Sequence, residues 1–377
     1  MRVALIHDWL TGMRGGEKAL QALCEIFPDA DLFTLVQVPG TTSPTIERRR
    51  VYRSPIQWLP FARRFYRQYL PLFPMAVEQF DLDAYTLVIS TSHCAAKSVV
   101  VAGRARHICY CLTPMRYAWD QFDAYFGPDR VGPLASRALR PVLAGLARWD
   151  QATAGRVHRY LAISQYVARR IALYYNRESA LVYPPVDTAF YAPEPESLPD
   201  HDRAPVRPSF LVVSALVPYK RVDLAMMAAR QAGVALRVVG EGPERARLEA
   251  LAGDGIELVG WKSDEEIRTL YRSSTATILP GEEDFGIVPV EAQACGRPVV
   301  ALGRGGALDT VIDGDTGVLV SDTSVDALAD GLRRVASLSW NGARIRAHAE
   351  RFSQARFKAD MRQIVDDTLG APLGHRW

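Results

Sequence analysis

The chain has 377 residues, 48% hydrophobic and 23% charged, with a formal net charge of +3. That length exceeds one ordinary core and suits two domains, and the composition excludes a disordered or fibrous chain. There is no uncharged apolar run of about 18 residues, so no transmembrane helix is expected. The opening MRVALIHDWL meets His7 and Asp8 too early for a signal peptide and reads as a buried strand. Residues 1–185 carry 23 Lys and Arg against 14 Asp and Glu, whereas the remainder carries 22 against 28. The first half therefore favours an anionic surface or partner more than the second. Cys24, Cys94, Cys109, Cys111 and Cys295 form no CxxC pair, the pattern of reduced, buried thiols in a cytoplasmic protein rather than of a metal or redox site.

In chain order, the stretch 3–6 reads as a strand, followed by a glycine turn at Gly15-Gly16 and a helix over 17–26. Further strands are expected at 32–36, 87–90, 108–111 and 160–163. Ser164 is placed to cap a helix running to about Tyr175. Pro184-Pro185 and the proline- and charge-rich stretch 193–208 read as a linker. A second series follows, with strands at 210–214, 235–239, 256–259, 277–279, 298–301 and 317–320. Helical patterns separate them, and one or two amphipathic helices close the chain over 344–369. Alternation of this kind implies parallel sheets with crossover helices, which bind ligands beyond the carboxyl ends of their strands.

Residues 46–80 interleave Arg48, Arg49, Arg50, Arg53, Arg63, Arg64 and Arg67 with Tyr52, Trp58, Phe61, Phe65, Tyr66, Tyr69 and Phe73. A solvated basic face over the edge of an aromatic core is one reading. A peripheral membrane or anionic-acceptor surface is the other. No recognised nucleic-acid module is present, so no nucleic acid is expected as partner.

The chemistry concentrates in the second half. LPGEEDFGIVPVEAQACGRPVV, at 279–300, runs from a strand through a loop bearing Glu282, Glu283 and Asp284 into a helix. Acids before a helix suit its positive end. That alone does not account for Gly286, which would let a phosphate approach the helix N-terminus. Nor does it account for Glu291, a carboxylate within a small, apolar helix. Two turns' worth of chain separate Glu283 from Glu291, enough for one to meet a sugar and the other a ribose. SALVPYKRVD, at 214–223, puts Lys220 and Arg221 beyond a strand's carboxyl end, where cations can neutralise a departing diphosphate. VVGEGP, at 238–243, and the Gly15-Gly16-Glu17 turn are ordinary strand-to-helix turns taken singly.

Together these segments resemble the GT-B glycosyltransferases of family 4 over nearly the whole chain. Glu283 and Glu291 match that family's Glu-x7-Glu motif. Gly15 and Gly16 match its first glycine-rich loop, and Lys220 its phosphate-binding lysine. The resemblance implies an α/β fold of two Rossmann-like domains facing across a cleft, 1–190 for the acceptor and 205–350 for the donor. A C-terminal helix, about 351–377, would return to the first domain. It implies a retaining hexosyltransferase acting without an essential metal or cofactor, with a nucleotide-diphosphate sugar as co-substrate. The acceptor would be a polysaccharide or lipid-linked glycan of the envelope, and overall similarity suggests mannose as the sugar.

Glu291 would hold the ribose and Glu283 the donor sugar. Gly286 and Ile287, beside Phe285, would meet the phosphates, and Lys220 with Arg221 would stabilise the leaving diphosphate. Ser214 and Gly242 would line the same site, with Val259 and Trp261 beside the base. His93 and Arg116 are the acceptor-side residues expected. The sequence departs from the family at Ala215, where a cation is usual in the Gly-Arg-Leu context, and at Leu112, which occupies one place where a histidine is expected. The DxD-like pairs at Asp29/Asp31, Asp81/Asp83 and Asp313/Asp315 read as turns. The alternatives are a GT-B enzyme without an acceptor, such as a nucleotide-sugar epimerase, and a nucleotide-sugar-binding scaffold with weakened catalysis. The expected location is cytoplasmic, with peripheral contact at the inner face of the membrane.

Overall fold

The structure is a computed structural model and describes residues 1–194, 208–372 and 374–377. Most of the linker stretch 193–208 lies outside the described residues. The chain divides into two compact units. One is Met1–Pro185 with Phe357–Trp377, and the other is Val186–Arg356.

The first unit is built on seven parallel strands: β1 (Val3–Leu10), β2 (Asp31–Gln37), β3 (Val51–Arg53), β4 (Leu87–Ser92), β5 (Arg106–Cys111), β6 (Arg159–Ala162) and β7 (Ala180–Leu181). Their order is β3-β2-β1-β4-β5-β6-β7. The central strands β1, β4 and β5 are buried along their whole length, as helices on both faces of a parallel sheet require. β1 runs past the expected 3–6 because its polar residues are satisfied inside. His7 Nδ1 lies 2.6 Å from Thr91 Oγ1 on β4, and the Asp8 carboxylate accepts backbone N–H groups. β3 and β7 are only three and two residues long, too short for an alternation signal.

The helix Gln165–Tyr175 starts where Ser164 predicts, with the Ser164 hydroxyl accepting from Val167 N–H at 3.1 Å. The closing pattern resolves into two helices with different allegiances. Gly342–Ala349 belongs to the second unit. Gln354–Gly370 lies almost wholly in the first, where Phe357 meets the Tyr110 ring edge-on at 5.5 Å and Lys358 pairs with Glu25 at 2.6 Å. The C-terminal helix thus returns to the N-terminal domain, as expected. All five cysteines are free and buried.

The second unit has six parallel strands: β8 (Ser209–Val213), β9 (Ala235–Val239), β10 (Ile256–Gly260), β11 (Ala276–Leu279), β12 (Val299–Leu302) and β13 (Gly317–Val320), ordered β10-β9-β8-β11-β12-β13. In both sheets the strand order reverses once, between β1 and β4 in the first and between β8 and β11 in the second. The loops that leave such a pair diverge and open a crevice beyond the strand ends. Among the described residues no helix is long and apolar enough to cross a membrane.

Candidate active site

In the second unit, the crevice beyond β8 and β11 holds the expected charged residues. β8 leads through Ser214–Val217 into a short turn, Pro218–Lys220, and then the helix Val222–Ala232. β11 leads through Gly281–Asp284 to Gly286, whose φ of +87° precedes the helix Ile287–Ala294. The two loops touch. A Cβ on Gly281 would stand 2.8 Å from the Tyr219 carbonyl oxygen, so only glycine permits this approach. It brings Glu283 to Lys220, and the ammonium donates directly to Glu283 Oε1. Both side chains keep about a fifth of their surface open, 19% and 23%. The pair is therefore within reach of a ligand.

Arg221 carries a φ of +52°, uncommon for a side chain of its size. This conformation explains why glycine would be at home there. Its guanidinium turns toward Asp223, with Nε 3.4 Å from Oδ1, rather than joining the Lys220–Glu283 pair. Ser214 donates to the carbonyl of Ala215 at 3.1 Å.

Glu291 lies within the helix Ile287–Ala294 and is only 5% exposed. The helix begins at Ile287, so Glu283 sits in the loop before it, and the separation of the two carboxylates is not two helical turns. The Tyr271 hydroxyl donates to Glu291 Oε2 at 3.0 Å, and Tyr271 itself is fully buried. Burial, and then the Glu291 charge, hold the Tyr271 phenol well above its ordinary value. Tyr191 is raised for the same two reasons, and its ring meets Tyr271 edge-on at 5.8 Å. Both phenols thus stay protonated beside the carboxylate. Sequence reasoning missed them, and LYRSS at 270–274 contains no motif that could have pointed to Glu291.

Neighbouring loops are bonded edge to edge across the strand order. Gly240 N–H donates to the Gly260 carbonyl at 2.8 Å, and Leu216 N–H donates to the Glu241 carbonyl at 2.9 Å. Gly242 lies against Leu216. Val259, within β10, is half-buried, and Trp261, just beyond the strand, is 72% exposed. On the other side, Gly306 N–H donates to the Glu283 carbonyl at 2.8 Å. A Cβ on Gly306 would stand 2.7 Å from the Asp284 carbonyl oxygen and closer still to Phe285. Gly305-Gly306 is a second set the sequence reading missed, although a glycine pair after a strand was visible.

In the first unit, the crevice between β1 and β4 collects His7, Asp8, Gly15, Gly16, Glu17, His93 and Leu112. The buried Asp8 carboxylate accepts four N–H groups, from His93, Cys94, Ala95 and Ala96, at 2.7–2.9 Å. His93 Nδ1 is 3.1 Å from Asp8 Oδ2, and the imidazole keeps 28% of its surface open. Burial pushes His93 below its ordinary pKa, Asp8 opposes this, and His7 and Arg116 add to it. Burial raises the Glu17 carboxyl, but the hydrogen bond and charge of His7, a backbone hydrogen bond and the charge of His93 together outweigh it, and the net shift is downward. A Cβ on Gly16 would stand 2.8 Å from Leu112 Cδ1, so Leu112 fills the space against the glycine turn. Arg116 opens the short helix Arg116–Trp119. Four of the six acids of the DxD-like pairs have protein partners: Tyr85 and Arg2 for Asp31, the Asp83 N–H for Asp81, Arg334 for Asp313 and Arg344 for Asp315.

Comparison with known proteins agrees with this architecture. The structure aligns with lipopolysaccharide outer core galactosyltransferase WaaB at a TM-score of 0.67 and 16% identity, covering 97% of this chain and 99% of that one. It aligns with Anabaena HepE in complex with UDP at 0.69 and 17%, covering 97% and 100%. The fold is GT-B. Within this GT-B chain, residues 194–356 match the family model of glycosyl transferases group 1. That segment contains every second-unit residue singled out above except Tyr191. The chain is 33% identical over 189 residues to a GDP-mannose-dependent alpha-(1-6)-phosphatidylinositol monomannoside mannosyltransferase of Mycolicibacterium smegmatis, covering 44% of this chain and 50% of the relative. It is 30% identical over 295 residues to a D-inositol 3-phosphate glycosyltransferase of Mycobacteroides abscessus, covering 67% and 64%. The chain spans about half the length of the mannosyltransferases it matches.

Proposed function

We propose that this GT-B protein is a glycosyltransferase that moves a hexose from a nucleotide-diphosphate sugar to a glycan or lipid-linked acceptor, with retention at the anomeric carbon. The observation that carries the reading is the contact between Lys220 and Glu283 at the β8/β11 reversal, one short helix from the buried Glu291. A nucleotide-diphosphate sugar presents ribose hydroxyls, two phosphates and sugar hydroxyls in series. Glu291, held by Tyr271, accepts from the ribose hydroxyls. The N–H groups after Gly286 meet the phosphates at the positive end of their helix. Lys220 leaves Glu283 for the diphosphate and stabilises the charge that grows on it as the glycosidic bond breaks. Glu283, released from that pairing, accepts from the sugar hydroxyls. In this reading Lys220 supplies the compensating charge, so turnover needs no essential metal. The exposed Trp261 lies beside the base.

The mycobacterial relative's dependence on GDP-mannose makes mannose the first sugar to test, and the UDP bound by HepE makes uracil the competing base. Thermal shift with GDP- and UDP-sugars tests the donor site, because a ligand that binds only the native state stabilises it by mass action. Stabilisation by one nucleotide family, lost in Glu291→Ala, is the expected result. No shift with any nucleotide sugar, in a folded protein, rules the proposal out. Release of nucleoside diphosphate only when a glycan acceptor is present separates a transferase from an acceptor-independent enzyme. Stabilisation without turnover would leave a binding protein.

A further inference from the structure

Between Glu47 and Glu78 the chain contains seven arginines and no acidic residue. The structure shows how this stretch is laid down. After β3 it follows a nearly continuous helical path, Ala62–Phe65, Tyr66–Leu72 and Phe73–Glu78. Ala62, Tyr66, Leu70, Phe73 and Val77 form its buried stripe and join the core of the first unit. A second apolar stripe remains outside. Trp58 is 75% exposed, Phe61 78% and Met75 58%, and Phe65 and Leu72 are also exposed. Phe61 is held at a φ of +54°. A bulky residue adopts that conformation at a steric cost, yet here the ring is turned to solvent rather than used for packing. Arg63 and Arg64 are exposed beside these rings, while the exposed Arg67 lies over Tyr66 and Trp9 on the inner side. Arg64 lies over Phe65 at 5.1 Å, and no carboxylate partner is recorded for any of the three among the described residues.

Singly exposed apolar residues are ordinary. A helical stripe of large rings and aliphatics interleaved with unpaired arginines is not. Its chemistry fits an interface where rings enter the headgroup boundary and arginines meet lipid phosphates. We propose that the stripe Trp58–Met75 is a docking surface for an anionic lipid bilayer. The positive balance of residues 1–185 gives that partner its sign of charge. Nucleic acid is disfavoured because the exposed groups include aliphatic Leu72 and Met75, which offer bases no stacking plane.

The surface is mechanically tied to the first unit's crevice. Tyr66 and Phe73, on the buried side of the same helical path, contact Trp9 at ring distances of 5.0 and 6.2 Å. Trp9 in turn meets the His93 ring edge-on at 4.4 Å. A bilayer held at Trp58–Met75 therefore lies two side chains from His93. This placement suits a lipid-linked acceptor, an implication that rests on the proposed function.

Flotation of the full chain with vesicles tests the surface. We expect binding to equal parts of phosphatidylcholine and phosphatidylglycerol, little binding to phosphatidylcholine alone, and loss of binding as salt rises. An interfacial arginine contributes about five-fold in affinity, so Arg63→Gln/Arg64→Gln should bind about 25-fold more weakly. Trp58→Ala/Phe61→Ala should release the protein from the mixed vesicles. Brominated lipid should quench wild-type tryptophan fluorescence more than that of Trp58→Phe. All these side chains are exposed, so the variants should melt with the wild type. The wild-type vesicle measurements stand without them. Equal binding to both vesicle types, no binding to either, or displacement by an oligonucleotide of matched charge would each overturn the proposal. The nucleotide-induced thermal shift reports the donor site in the second unit without lipid, so failure of the surface and failure of the function are told apart.

Discussion

Replacing Lys220 by methionine separates catalysis from stability at the side-chain ion pair between the loops after β8 and β11. The side chains of Lys220 and Glu283 are 19% and 23% exposed, so water screens their attraction and hydrates whichever partner is left behind. An ion pair of this kind is worth about 1 kcal/mol or less. In a unit of this size that corresponds to at most about 2–4 °C in melting temperature. Methionine roughly preserves the length of the side chain and removes the ammonium, which also lies 5.4 Å over the Tyr219 ring. The catalytic loss should be far larger. A preorganised group that meets charge developing in the transition state contributes about 10²–10³ in kcat, or about 3–4 kcal/mol. Continuous detection of released nucleoside diphosphate gives kcat, and a parallel melt gives stability. Lys220→Arg keeps the charge but changes its reach and should recover part of the rate. A Lys220→Met protein that melts far below the wild type yet turns over normally would show the pair to be a structural clasp.

Three further outcomes follow from individual contacts. Tyr271→Phe removes the hydroxyl that donates to Glu291 at 3.0 Å. It should cost about 1.5–3 kcal/mol of stability and weaken nucleotide binding about ten-fold by calorimetry, and an unchanged Kd would exclude a role in holding the ribose carboxylate. Gly306→Ala drives a methyl group into Phe285 and the Asp284 carbonyl. Overpacking of this kind costs about 1–3 kcal/mol, and the nucleotide-induced thermal shift should vanish with it; retention of the shift would mean the loop before Ile287 can move freely. His107 is held down at about 3, by burial first and by the His158 charge second, against an ordinary 6.5. A lowered folded-state value gives stability that is full above 6.5 and lost as pH falls toward 3, because unfolding then takes up a proton. Between pH 7 and pH 5 the loss is about 2 kcal/mol, so urea unfolding of His107→Gln should show a shallower pH dependence than the wild type, and identical slopes would remove this histidine as the cause.

The parallel α/β plan is legible because buried strands in such sheets are short apolar runs ended by glycine and polar turns. What escapes the pattern is polarity satisfied at a distance. His7 and Asp8 look like the end of a strand, but β1 continues through them because Thr91 waits on the neighbouring β4 and the N–H groups of 93–96 just beyond it. Lys220, Glu283 and Glu291 are readable from their order along the chain and from their places after strands. Their supports are not. Tyr271 reaches Glu291 from the helix before β11, and Gly281 meets Tyr219 from a loop about 60 residues later. Such partnerships depend on β11 lying beside β8, and only the fold reveals that neighbourhood. The stretch 46–80 shows the opposite case: its composition is plain in the sequence, but which rings pack inward and which remain outside is decided by the path of the helix.

The edge-to-edge bonding of the loops bears on how the second unit could act on a charged ligand. In spatial order the loops after β10, β9, β8, β11 and β12 form an unbroken series. Gly240 bonds Gly260, Leu216 bonds Glu241, Lys220 meets Glu283, and Gly306 bonds the Glu283 carbonyl. All but one of these links run between backbone groups, which have fewer degrees of freedom than side chains. The exception is Lys220–Glu283, and in the proposed function it is the link whose ammonium a diphosphate would take. A ligand that takes the ammonium leaves the carboxylate facing its hydroxyls, and the surrounding series holds both loops in place meanwhile. Electrostatic catalysis requires groups that are already fixed before charge develops. A single exchangeable ion pair inside a backbone-bonded frame meets that requirement, and it explains why the frame is glycine-rich where the loops approach most closely.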